Sequence, residues 1–187
     1  MGPSPANDAK FRRIFDTHVP VVQRYCLRRL SVDDANDAVS EVFLVAWRRI
    51  EEIPGGEETL PWLLGVARNT ARNTRRSVRR AERLTARAGD EPMTDDPGPE
   101  VQVVRSSEYA EVSAALATLK PQDREVIRLR AWEELSAPQI AMVLGCSVAA
   151  AEKRIARSST RLTAAVERRR LVARPRAIRK GGHDRES

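Results

Sequence analysis

Residues 135–162, LSAPQIAMVLGCSVAAAEKRIARSSTRL, read as two helices joined by a tight turn. Ser136 is placed to cap the first helix, Gln139 completes a capping box, and Pro138 falls in the first turn, where its missing N–H costs nothing. Ile140, Val143 and Leu144 then give an apolar face. Gly145 stops the helix, because so sharp a turn needs a residue at ease with positive φ. Ser147 caps the second helix, whose apolar positions Val148, Ala151, Ile155, Leu162 and Val166 recur three, four or seven apart. Its opposite face carries Lys153, Ala156, Arg157, Thr160 and Arg161. One apolar and one basic face suit a helix that sits on a core and enters a DNA major groove. A helical hairpin with a merely solvated charged face shows the same periodicity. The Gly-centred turn, the basic balance of the chain and a second arginine face upstream favour the DNA-binding helix-turn-helix.

The 187 residues, 41% of them hydrophobic, suffice for one domain or two small helical ones. A formal net charge of +7 points to a polyanionic partner. No apolar run reaches the roughly 18 residues that would span a bilayer, so no membrane insertion is expected. The opening MGPSPANDAK lacks the apolar core of a signal peptide, and a cytoplasmic location is expected. Met1-Gly2 lacks the Ser or Thr of a myristoylation signal. Cys26 and Cys146 are far apart with no neighbouring Cys or His pair, which argues for structural thiols and against a metal. His18 and His183 have no nucleophile or carboxylate constellation around them. No cofactor and no catalysis are expected.

In chain order, residues 1–10 read as a disordered N-terminus and 11–87 as a first helical domain. Phe11, Ile14, Phe15, Val22, Tyr25, Cys26 and Leu30 recur at helical spacing, and Pro20 is expected to break or bend that element. Ser31 to Asp34 form a capping pattern for a helix running from about Val32 to Glu52. Its buried stripe is Val39, Val42, Phe43, Ala46, Trp47 and Ile50; its outer face presents Asp37, Ser40, Glu41, Leu44 and Arg48. That face fits a docking surface or a solvated, dipole-favoured acidic end, and spacing alone does not separate the two. Pro54, Gly55 and Gly56 make residues 53–60 a loop, with Thr59 as candidate cap for the next helix.

That next helix begins with apolar Trp62, Leu63, Val66 and Ala67. It then carries Arg68, Arg72, Arg76 and Arg80 on one stripe, Arg75, Arg79, Arg83 and Arg87 beside it, and Asn69 and Asn73 on a neighbouring stripe. Like charges at i, i+4 repel by a few tenths of a kcal/mol per pair. Phosphate contact is a reason to concentrate them, and Asn can read base edges. Residues 88–106 read as an acidic, Gly/Pro-rich flexible linker. The 18 residues from Ala88 to Arg105 reach at most about 60–65 Å when extended. A second unit over 107–166 contains Tyr109, Val112, Leu116 and Leu119, then a helix opened by Pro121, then the helix-turn-helix. Residues 167–187 read as a frayed helix end and a disordered basic tail.

Taken together, the two halves resemble the extracytoplasmic-function (ECF) group of the bacterial sigma-70 family. DANDAVSEVFLVAWRRI is similar to the family's polymerase-docking helix, LPWLLGVARNTARNTRR to its −10 segment, and ALATLKPQDREVIRLRAWEELSAPQIAMVLGCS to its region 4. The resemblance covers about residues 10–166 and implies an all-α fold of two modules, sigma regions 2 and 4, on a flexible linker. It implies a promoter-specificity subunit that binds core RNA polymerase at the clamp of the largest subunit and the flap of the second-largest. By position, Asp37, Ser40, Glu41, Leu44 and Arg48 would contact polymerase. Ile53, Trp62, Arg68, Asn69, Arg72, Asn73 and Arg76 would serve the −10 element, with Ile53 in a loop that holds a flipped base. Glu152, Lys153, Ala156, Arg157 and Arg161 would serve the −35 duplex. An anti-sigma partner is a further expectation of the resemblance.

Two departures stand out. Ser40 replaces the family's usual Gln, and Ala149-Ala150-Ala151-Glu152 replaces a Gly-Thr-Val-basic run. Glu152 sets a carboxylate near phosphates, which costs affinity unless it accepts from a cytosine amino group, so the −35 preference is not inherited. A stand-alone helix-turn-helix regulator is the alternative within the DNA-binding class, but it leaves the Arg68–Arg87 helix and the Asp37/Glu41 face unexplained. A helical adaptor for an acidic protein is the alternative outside it. An RNA-modifying enzyme would need a catalytic cluster that the sequence lacks.

Overall fold

The computed structural model describes residues 4–86 and 107–173, which form seven α-helices and, among the described residues, no strand. The first module holds α1 (Pro5–Leu27), α2 (Val32–Arg48), a 3-10 turn (Gly56–Glu58) and α3 (Thr59–Ala86). The second holds α4 (Ser107–Ala117), α5 (Pro121–Ala131), α6 (Ala137–Leu144) and α7 (Val148–Ala173). The expected linker, residues 88–106, lies outside the described residues, and so does the tail beyond residue 173.

Helix α1 corrects two expectations. It starts at Pro5, inside the stretch read as disordered, because proline is tolerated at the first helical position. Lys10 ties this end down by donating to the carbonyls of Ile50 (2.8 Å) and Ile53 (3.0 Å). It also runs through Pro20 without a break. Proline costs a helix interior about 3 kcal/mol, but Pro20 is exposed while Ile14, Val22 and Tyr25 anchor the helix on either side. Helix α2 is shorter than expected, ending at Arg48 so that a turn can direct Ile50 and Ile53 inward. Thr59 does not cap α3; its hydroxyl donates to the Pro54 carbonyl and closes the loop (2.8 Å). Helix α7 continues to Ala173, through residues expected to fray.

Caps in the second module are as expected. Ser136 and Gln139 form a full capping box, Gly145 adopts φ 63° and ψ 47°, and Ser147 accepts from the Ala150 N–H (3.2 Å).

The two modules share a core. Leu63, Leu64 and Ala67 of α3 are continuous with Leu129, Leu135, Ile140, Val143 and Ala151 of the second module. Helix α6 packs on α3 at Gly65, where a Cβ would lie 3.7 Å from the Val143 Cα and 3.9 Å from the Met142 carbonyl oxygen. These are ordinary contact distances, and alanine is favoured over glycine in a helix by about 0.5–1 kcal/mol. Gly65→Ala is therefore expected to raise the melting temperature slightly, and Gly65→Leu to lower it by wedging the seam; thermal melts followed by circular dichroism check both.

Candidate polymerase and nucleic-acid interfaces

The outer face of α2 is built as a stripe. Asp37, Glu41, Leu44 and Arg48 follow one another by three or four residues and are all exposed, Leu44 to 47%. Ser40, also exposed, donates its hydroxyl to the Asn36 carbonyl within the helix (3.1 Å). The inner face is held by Val42, Phe43 and Ala46, with Phe11 and Phe15 of α1 packed edge-on against Phe43. The stripe is thus displayed by a helix whose other side is fixed.

The residues assigned to the −10 element divide. Asn69, Arg72, Asn73 and Arg76 are exposed on α3, and Arg68 is half-buried. Ile53 is 3% exposed and belongs to the core, so its side chain is not displayed for a base to meet. An isoleucine has no polar group to keep it at the surface, and the turn after α2 carries it inward. Trp62 is half-buried, with the Arg49 guanidinium 5.5 Å from its ring centroid.

The residues assigned to the −35 element all lie on the exposed side of α7. Lys153, Ala156, Arg157 and Arg161 occupy one face and Glu152 sits beside them. Arg157 donates its Nε to the Lys153 carbonyl (3.1 Å), which leaves the two terminal nitrogens to project. Arg161 pairs with Asp123 of α5 at 2.6 Å, and the buried Ser158 hydroxyl donates to the other oxygen of Asp123 (3.0 Å). Glu152 and Ala156 border a shallow hollow with Arg130 and Ser136. Arg68, Arg72, Arg157 and Arg161, assigned to different DNA elements, line one cleft of about 670 Å³ between α3 and α7. Asn69, Asn73 and Arg76 are not among its lining residues.

An ionic cluster at the floor of that cleft was not foreseen from the sequence. Arg29 is buried and grips both oxygens of Glu125 (3.0 and 3.1 Å), while its third nitrogen lies 3.7 Å from Glu133. Arg28 donates from one terminal nitrogen to both oxygens of Glu133 (2.7 and 2.8 Å), and Tyr25 donates its hydroxyl to Glu125 at 2.7 Å. Burial alone would raise the Glu125 carboxyl; Arg29 beside it, with hydrogen bonds from Arg29 and Tyr25, holds it below the usual carboxylate value. Burial likewise works against charge on Arg29, and Tyr25, Glu125 and Glu133 more than reverse that. At Arg128 the compensation falls short: burial, with Arg29 and Arg124 nearby, outweighs Glu125 and pushes it down to about 10.

Residues 14–81 match the family Sigma-70 region 2, and residues 109–162 match the family Sigma-70, region 4. The ECF RNA polymerase sigma factor SigL of Mycobacterium tuberculosis is 33% identical over 165 residues, 82% of this chain and 87% of that one. The chain belongs to the ECF RNA polymerase sigma factors. This sigma factor is accordingly a promoter-specificity subunit of RNA polymerase. The RNA polymerase sigma factor CnrH of Cupriavidus metallidurans is 34% identical over 141 residues, 72% of this chain and 74% of that one. CnrH in complex with the cytosolic domain of CnrY superposes with a TM-score of 0.56 at 28% identity, over 84% of this sigma factor and 88% of CnrH. The sigma factor RpoE bound to the anti-sigma factor NepR, from Bartonella quintana, gives 0.62 at 20% identity, over 84% and 96%, a likeness of fold alone. No helix among the described residues is long and apolar enough to cross a membrane, and no group of three or more His, Cys, Asp or Glu among them could hold a metal.

Proposed function

We propose that this sigma factor docks on core RNA polymerase through the Asp37–Arg48 face of α2, reads and opens the −10 element with α3, and reads the −35 element with α7. The observation that carries this reading is the display of three unlike faces on fixed helices: an acidic and apolar one on α2, and arginine-rich ones on α3 and α7. Ile53 is left out of the DNA contact, since it packs in the core. No step requires a cofactor or a catalytic residue; the chemistry belongs to the polymerase, and the sigma factor acts where core enzyme is, in the cytoplasm. An anti-sigma partner is part of the proposal, supported by the complexes in which CnrH and RpoE were solved. Run-off transcription with purified core polymerase tests it. Promoter-specific transcripts that depend on the chain are expected; DNA binding with no transcript would return the chain to the regulator reading.

Within α7, Arg157 is expected to read a base, because its fork matches the two acceptors of guanine. Arg157→Ala should cost about 1–3 kcal/mol on the preferred −35 sequence and relax preference at one position. Arg161 must first exchange Asp123 for a phosphate, so Arg161→Ala should weaken all sequences alike. Binding across single-base variants of the element decides; a uniform loss for Arg157→Ala would make it a backbone contact only.

A further inference from the structure

The walls of the cleft between α3 and α7 share one design. Helix α3 contributes Arg68, Ala71, Arg72 and Arg75, spaced so that all four lie on one helix face. Helix α7 contributes Arg154, Arg157, Ser158 and Arg161 at the same intervals. In each stripe the arginines flank a small buried residue, Ala71 at 4% exposure and Ser158 at 0%, so each wall is recessed between its cations. Seven arginines line the cleft against two carboxylates, and no lysine takes part. Both carboxylates are already engaged, Glu125 by Arg29 and Tyr25, and Asp123 by Arg161 and Ser158. Arg72, Arg154 and Arg157 are exposed and form no ion pair among the described residues. A concave, arginine-lined space of this kind concentrates small anions from solution.

Size and chemistry together select the occupant. The cleft volume of about 670 Å³ falls within the roughly 300–1,000 Å³ of small-molecule sites. A DNA duplex, whose major groove alone is about 12 Å wide, does not enter such a space. Arg29, Arg75 and Arg154 also belong to neither of the faces assigned to promoter DNA. Asp123 shows what the α7 wall accepts: one carboxylate oxygen takes a bond from Arg161 (2.6 Å) and the other from Ser158 (3.0 Å). A phosphate group offers the same kind of oxygens, and planar guanidinium forks grip them in pairs where an ammonium meets them as a point charge. One phosphate cannot answer cations on both walls, whereas a chain of phosphates carries several charges along its length. We propose that the cleft is a binding site for a compact polyphosphate, either an inorganic chain or the phosphate chain of a nucleotide, held between Arg72 of α3 and Arg154 and Arg157 of α7. Because Arg72 and Arg157 are also DNA-binding candidates, the bound anion competes with promoter DNA. That consequence rests on the function proposed above; the site itself does not.

Isothermal titration calorimetry on the full chain tests the site, at about 0.15 M salt and without divalent metal, which would neutralise the phosphates. The probes are tripolyphosphate, ATP, orthophosphate and adenosine. One tripolyphosphate is expected to bind per chain, about tenfold or more tighter than orthophosphate, and adenosine is expected not to bind. Equal affinities for ATP and tripolyphosphate would identify the ligand by its phosphates alone, and tighter ATP would identify a nucleotide; both support the site. Arg72→Ala and Arg154→Ala should each weaken tripolyphosphate by about tenfold or more, the loss of a charged hydrogen-bond donor. Arg80→Ala removes the same charge from an exposed position of α3 that does not line the cleft, so salt screening should keep its effect within about twofold. Circular dichroism confirms that every variant is helical, and bound tripolyphosphate should raise the melting temperature of the parent. Several anions per chain, no preference for tripolyphosphate over orthophosphate, or an equal loss in Arg80→Ala and Arg154→Ala would each overturn the site, since binding would then follow net charge. Tripolyphosphate should also displace a labelled DNA duplex several-fold more readily from the parent than from Arg154→Ala; equal displacement would overturn the competition. The titrations contain neither promoter nor polymerase, so a failed transcription assay would leave their result standing.

Discussion

Charge reversal at Asp37 and Glu41 is expected to abolish association with core polymerase while leaving the fold intact. Both side chains are exposed on α2, one turn apart, and no described residue pairs with either. The helix keeps its Ser31 cap and the acidic residues of its first turn, Asp33 and Asp34, so the dipole contribution there survives. Lysine also has a better helix propensity than aspartate. Asp37→Lys with Glu41→Lys should therefore melt within a few degrees of the parent. Against a basic polymerase surface, two like-charge juxtapositions cost several kcal/mol, which is a loss of at least about a hundredfold in affinity. Co-purification with tagged core polymerase, with the melting curve as control, is the measurement. Normal recovery of the double variant would remove α2 from the interface and transfer attention to Leu44 and the apolar part of the stripe.

What the sequence disclosed and what it withheld follow the range of the interactions. The turn at Gly145 and the caps at Ser136, Gln139 and Ser147 involve groups within a few residues, and the side-chain chemistry determines each locally. The exposed stripe on α2 and the arginine face of α3 follow from helical periodicity. Pro20 misled because local propensity weighed against the helix while packing by residues on both sides prevailed. Ile53 misled because a loop position carried no periodicity, and only the geometry of the turn sends it into the core. The ionic cluster of Arg28, Arg29, Glu125 and Glu133 was out of reach altogether. Tyr25 and Glu125 are separated by 100 residues and Arg28 and Glu133 by 105; in sequence Tyr25 reads as an apolar helix position and the others as surface charges. A pair of adjacent arginines at a helix end is the one local signal, and it is shared with every solvated helix terminus.

The shared core makes the stability of the two modules a joint property, and Ile140 is the residue that tests it. Helix α6 is only eight residues long, too short to be stable alone. It is held by burying Ile140, Ala141 and Val143 in the cluster that contains Leu63 and Leu64 of region 2 and Ala151 of α7. Ile140 has no exposed surface, so truncation removes buried methyl groups and leaves a cavity that α3 and α7, both long and anchored elsewhere, do not collapse to fill. Ile140→Ala should then cost about 2–5 kcal/mol, or roughly 4–20 °C in melting temperature for a chain of this size. If regions 2 and 4 unfold as one body, the parent melts in a single transition and the variant in a single, lower one. Two independent modules would instead give a biphasic curve, with only the region 4 step displaced by the substitution. Far-UV circular dichroism separates the outcomes, since both modules are helical and each would contribute its own share of the signal.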